Sequence, residues 1–200
     1  MRNNRVKKIL NYIIIFLCVL ALLTGLLILV AKLPREKMKD NMLESAKFLC
    51  EGELFGEAVE GVPSSKIDRY ADSILLAIAY QYDSDHTVES VLWSSYYYNP
   101  MANENDNLYT AVTQGKEANT QYLRYWHGSN VIVRPLLTVF HIKQIYVFHA
   151  VILLFFVLLL LVVLLKYKAY VPFWGMIVAL VATASWFVPF SLEYIWTYLV

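Results

Sequence analysis

The sequence predicts an all-α membrane protein: three transmembrane helices, with a mostly helical extracytoplasmic domain between the first and the second. Three observations carry this expectation. Of 200 residues, 58% are hydrophobic, against roughly 45–50% in a soluble domain. The excess is concentrated in three long runs, as membrane spans require. Finally, the basic residues that flank these runs cluster at ends that one topology places on the same side of a bilayer.

The first run covers residues 9–33 and would extend about 37 Å at 1.5 Å per residue, enough to cross a core of roughly 30 Å with tilt. Residues 1–8 precede it with Arg2, Arg5, Lys7 and Lys8 and no acid. This start resembles a signal peptide, but the run exceeds the roughly 7–15 residues of a cleavable apolar region. It exits through Ala31-Lys32-Leu33-Pro34, without a small-x-small cleavage site. The reading is an uncleaved signal anchor with residues 1–8 in the cytoplasm.

The second run covers 145–165 and ends at Lys166 and Lys168, again a cytoplasmic signature. The link 166–170 leads directly into the third, 171–190, so the two would form an antiparallel hairpin. Pro172 suits a first helical turn. Gly175, Ala179 and Thr183 recur every four residues, a face for close helix packing, and Ala21 and Gly25 repeat it in the first run. Trp174 and Trp186 sit where an aromatic belt would place them. Residues 191–200 stay apolar, an outer end or the start of a further span in a longer protein.

Residues 34–144 lie between the first two spans and form the outer domain, with ten Lys and Arg against fifteen Asp and Glu. Met38, Met42, Ala46 and Leu49 have helical spacing. Ser64 or Ser65 is expected to cap a second helix whose apolar stripe is Ile67, Ala71, Ile74, Leu75 and Ile78. Asp85 would cap a short third one. A polar loop is expected at 99–107, an amphipathic helical piece at 108–129, and a short strand at 130–133.

The net charge of +1 points to neither nucleic acid nor an acidic partner. Cys18 lies inside the first run and Cys50 in the domain, so no disulfide joins them, and no Cys/His cluster suggests zinc. Asp83-Ser84-Asp85-His86 has the look of a metal motif, but Asp85 has a ready task as a cap and no metal or other cofactor is assigned. Asp68 and Asp72 are one helical turn apart beside Arg69, and a carboxylate there can serve as general base. Tyr125-Trp126-His127-Gly128, followed by Arg134-Pro135, is the most unusual stretch: an arginine can clamp a phosphate, His127 can pass a proton, and aromatic rings can stack on a sugar. The plainer reading anchors Trp126 and Arg134 at the headgroups. The catalytic set is therefore Asp68, Asp72 and His127, and the substrate-binding set Arg69, Tyr125, Trp126 and Arg134. His141, His149 and Glu193 are lesser candidates near span ends.

The Asp68-Arg69-Tyr70-Ala71-Asp72-Ser73-Ile74-Leu75-Leu76 segment, with Tyr125-Trp126-His127-Gly128 and Arg134-Pro135-Leu136-Leu137, resembles an uncharacterised family of polytopic membrane proteins from low-GC Gram-positive bacteria. The layout is also loosely similar to the opening of GT-C type glycosyltransferases, which use lipid-linked sugars and an acid in their first outer loop. That resemblance implies Asp68 or Asp72 as the acid, although here it lies about 35 residues beyond the span. The expected protein is thus a multi-pass component of a bacterial plasma membrane. Its partners are the lipid bilayer and either a lipid-linked sugar used in envelope glycan assembly or, if it is a non-enzymatic scaffold, the helices of another membrane protein.

Overall fold

A computed structural model describes residues 2–199. In chain order its helices are α1 (Arg2–Ala31), α2 (Lys39–Cys50), α3 (Arg69–Gln81), α4 (Thr87–Trp93), α5 (Glu104–Gln114), α6 (Asn130–Leu137), α7 (Ile142–Lys166), α8 (Tyr170–Ala182) and α9 (Tyr194–Leu199). Short 3-10 turns occupy Arg35–Met38, Pro63–Ser65 and Ser185–Phe190, and strands β1 (Ser95–Tyr96) and β2 (Thr120–Gln121) pair antiparallel.

Two helices are long and apolar enough to cross a membrane, Val6–Ala31 with 26 residues and Ile142–Lys166 with 25. Only 11% of the apolar stretch of each is buried, so neither is the core helix of a globule. In α1, residues 6–22 are exposed on every side, a surface suited to lipid. The domain covers only its far end, burying Leu27 and Ala31. In α7 it covers only the near end, burying Ile142, Ile145, Tyr146 and His149. Both helices therefore leave one domain with their basic residues, Lys7 and Lys8 or Lys166, at the distal end.

The domain core is built around α3. Residues from Asp72 to Gln81 are all buried, because α2, α5 and α6 cover the helix on all sides. The α2 stripe of Met42, Ala46 and Leu49, with Met38 before it, packs on Leu108 and Val112 of α5. Polar side chains tie these layers together. Asn105 accepts from Ser73 Oγ at 2.6 Å and donates to the Leu49 carbonyl at 2.8 Å. Asn41 donates to the Leu137 carbonyl, and Ser45 Oγ accepts from the Ile142 amide at 2.9 Å, fixing where α7 starts.

Several local expectations are corrected. The cap of α3 is Asp68, whose Oδ1 accepts from the Ala71 amide at 2.8 Å, rather than Ser64 or Ser65. Asp85 does not cap α4, which begins after His86. Asn103 caps α5, so 104–107 is its first turn and not loop. The helical piece ends at Gln114, because Gly115 takes φ +62°, and the chain then pairs as β2 with β1. The expected strand at 130–133 is the start of α6, since burying Asn130, Val133, Arg134 and Leu137 needs helical spacing.

The third apolar run is not one helix across 171–190. α8 has 13 residues, about 20 Å at 1.5 Å each, short of a full span. Thr183 Oγ1 bonds back to the Ala179 carbonyl, Ala184 takes φ +50°, and the 3-10 turn Ser185–Phe190 follows. The chain then returns to the domain. Ser191, Leu192 and Ile195 are buried, so the expected outer end is docked beneath α3 and α7.

Candidate functional site

A cleft of about 380 Å³ opens at the N-terminus of α3. One wall is the start of α3, with Asp68, Tyr70 and Ile74. The other is the loop 122–127, which contributes Tyr122, Arg124, Tyr125, Trp126 and His127. Glu193 enters from the C-terminal segment, and Phe55 stacks on Tyr70 with ring centroids 5.8 Å apart. Local chain chemistry sets this arrangement. The β1–β2 pair and Asn119, which bonds both the amide and the carbonyl of Tyr98, hold the loop's entry. Gly128 lets the Trp126 ring fold onto the chain, since a Cβ there would lie 2.6 Å from it.

The cleft is an aromatic slot with polar groups at intervals. Tyr122 packs against His127 at 5.3 Å and Tyr125 at 6.2 Å, and the Arg124 guanidinium lies 5.1 Å over the Tyr125 ring. His127 is 6% exposed, and burial drops its pKa to about 4, so the ring is neutral at pH 7. Its Nε2 is fully buried and has no partner among the described residues, which costs free energy. Burial and then the nearby charge of Asp68 raise the pKa of Glu193, so the two carboxyls sense each other across the cleft.

Of the residues expected at the site, Asp68, Tyr125, Trp126 and His127 all meet here. The other three lie elsewhere. Asp72 points into the core and is wholly buried. It accepts from the Tyr146 hydroxyl, from the Leu192 amide at 2.8 Å and from Ser191 Oγ at 3.3 Å. Burial raises its pKa to about 8 against the pull of those donors. Asp72 is thus a latch holding the C-terminal segment, and it has no access to the cleft. Arg69 donates to the Phe48 and Leu49 carbonyls at the end of α2 and lies over the Phe48 ring. Arg134 is wholly buried and donates to the Val30 carbonyl at 3.0 Å and the Leu33 carbonyl at 2.6 Å, closing the end of α1. Burial lowers its pKa to about 10, which leaves it charged at neutral pH. Both arginines satisfy helix C-termini, where orphan carbonyls and the helix dipole favour a cation.

Arg124 and Glu193 complete the cleft. Glu193 is one of the lesser candidates expected from the sequence, and Arg124 gives no sequence signal beyond standing among aromatic residues. Asp83, Asp85 and His86 form a local turn, in which Asp83 accepts from the Asp85 amide and pairs with His86 Nδ1 at 2.9 Å. No group of three or more metal-binding side chains occurs among the described residues. The Cys50 thiol is pushed up to about 11 by burial and by Asp106, which makes it a poor nucleophile. No family model, curated protein or solved structure matches the chain.

Proposed function

We propose that this is a multi-pass protein of a bacterial plasma membrane whose outer domain binds the head of a lipid-linked sugar at the bilayer margin. In this reading α1 and α7 span, and α8 with the Ser185–Phe190 turn completes a third passage. Residues 1–8 and 166–170 are cytoplasmic, and 34–144 lies outside. One observation carries the ligand class: the cleft gathers Tyr125, Trp126, Arg124, Asp68 and Glu193, beside the neutral His127 ring, into one aromatic, hydrogen-bonding slot. Aromatic faces stack on the C–H face of a sugar ring. Carboxylates accept its hydroxyls, and Arg124 offers a cation to a phosphate. Asp68 is the acid placed to take a proton from an attacking hydroxyl if the bound sugar is transferred.

The experiment is capture of a photoreactive polyprenyl-phosphate sugar by the purified full chain in micelles. Asp68→Asn and Trp126→Ala should each reduce labelling strongly, and Asp85→Asn should leave it unchanged. Equal labelling of all forms would overturn the reading.

A second reading, a non-enzymatic scaffold, has its own support. Gly175 and Ala179 are exposed on α8 and Thr183 just past its end, and none of the described residues comes within 4 Å of a Cβ built on Gly175. Such a face packs closely on another helix. Crosslinking in membranes through Gly175→Cys tests it; a protein recovered only as a monomer would argue against it.

A further inference from the structure

The domain leaves apolar side chains uncovered where it surrounds α1. Leu92 and Trp93 at the end of α4 are 63% and 45% exposed, and Leu123, Tyr125 and Trp126 in the loop are each more than half exposed. A groove of about 330 Å³ brings all of these but Trp93 to one place: it is lined by Leu92 of α4, by residues 122–126, and by Leu20 and Thr24 of α1. In water this apolar surface would go without the gain that burial gives it. None of them belongs to the buried core cluster, to which α4 contributes Val91.

The position of the groove along α1 gives its depth. A hydrocarbon core of about 30 Å takes up about 20 residues of helix. The apolar stretch Val6–Ala31 has 26. Slid to its lowest register, the core ends at about residue 25; slid to its highest, it begins at about residue 12. Leu20 and Thr24 lie inside it in either case, and tilt only widens the covered stretch. The side chains that face them across the groove are therefore below the level of the headgroups.

We infer that α4 and the 122–126 loop are inserted into the leaflet farther from the basic N-terminus, with acyl chains of the bilayer filling the groove beside α1. The occupant is lipid rather than a protein partner because the groove continues the bare surface of α1, exposed from residue 6 to 22, without a break. The charged residues set the limits of insertion. Glu89 is exposed one turn before Trp93, so α4 enters by its C-terminal turn and keeps Glu89 at the headgroups. Arg124 is exposed beside Tyr125 and can reach up to lipid phosphate while its stem stays apolar. The Trp and Tyr rings then sit at the boundary where such side chains are most stable. This inference depends on α1 spanning the membrane and not on what the cleft binds.

Single cysteines placed by Leu92→Cys, Leu123→Cys, Leu17→Cys and Met101→Cys, in a Cys18→Ser/Cys50→Ser background, can be labelled with an environment-sensitive fluorophore. The full chain is then reconstituted in phosphatidylcholine–phosphatidylglycerol vesicles. Labels at 92 and 123 should be quenched several-fold more by lipid carrying a nitroxide near the headgroup than the label at 101, which is 91% exposed and lines neither the groove nor the cleft. Aqueous iodide should show the reverse order. Iodide quenching at 92 and 123 equal to that at 101, with position 17 quenched by nitroxide lipid, overturns the inference while leaving the span intact. Absence of quenching at 17 by lipid carrying a nitroxide deep in the acyl chain overturns both.

Discussion

Asp72→Asn should remove most of the alkaline destabilisation of this protein. The wild-type carboxyl is wholly buried, with its pKa raised from the ordinary 3.8 to about 8. Between those values the unfolded chain loses the proton while the folded chain keeps it. The folded state then binds more protons, so stability falls as pH rises, by about 1.4 kcal/mol per unit. The contribution is fully present below pH 3.8 and lost by the time the folded group ionises near pH 8. His127 has the opposite sign: its depressed pKa of about 4 makes stability rise with pH up to the ordinary 6.5. The window from pH 6.5 to 8 therefore isolates Asp72 from it. Across those 1.5 units the wild type should lose about 2 kcal/mol, which is about 4–8 °C in melting midpoint for a chain of this size. Asparagine keeps an acceptor for the Leu192 amide and turns its NH₂ toward the Tyr146 oxygen, without a titrating proton. Melting in micelles followed by tryptophan fluorescence at pH 6.5 and 8.0 is the measurement. A variant with the wild-type slope would show that the acid is either not buried or not held by the C-terminal segment.

Three further substitutions test other joints. Arg134→Lys should lower the midpoint markedly, by about 2–4 kcal/mol, because an ammonium cannot serve the Val30 and Leu33 carbonyls as the planar guanidinium does; the same melting assay reads it. Asn105→Leu should cost about 2–3 kcal/mol, since it strips partners from Ser73 Oγ and the Leu49 carbonyl, both inside the core. Gly128→Ala should displace the Trp126 ring and reduce capture of the sugar probe while shifting the melting midpoint little, because the clash is with the outer edge of one exposed side chain.

The two long helices are plain in the sequence because each is an apolar run of 25 residues or more, of which the fold buries only 11%. The α2 stripe was equally plain. α6 was not: its buried face of Asn130, Val133, Arg134 and Leu137 has helical spacing, but two of the four are polar, so hydrophobic periodicity saw only Val131, Ile132 and Val133 and read a strand. The break after α8 left no glycine or proline at 183 or 184 to announce it; the chain turns there because Ser191 and Leu192 bind Asp72, a contact 119 and 120 residues distant in sequence. Four of the seven expected site residues share a cleft, because the 122–127 loop folds against the start of α3. The two arginines were misjudged for a definite reason. A guanidinium recognises any cluster of oxygens, and sequence does not distinguish a phosphate from the bare carbonyls at a helix end.

That use of arginine explains why the cleft keeps a fixed depth. An apolar helix that ends inside a protein leaves its last carbonyls without water, and at the end of α1 the missing donors come from one side chain, Arg134, that also contacts the Tyr82 carbonyl at the end of α3. Both α1 and α3 are thereby fastened to α6, eight residues whose first turn follows directly on the 122–127 loop. The loop consequently cannot rise or sink along α1 without breaking several charged hydrogen bonds in a buried environment. α7 is fixed to the same body through Ser45 and Tyr146, and the Glu193 segment through Asp72. Every wall of the cleft is therefore tied to α1 or α7 by a buried polar bond. In the function proposed above, a ligand whose tail lies in the bilayer would meet such a cleft at one level.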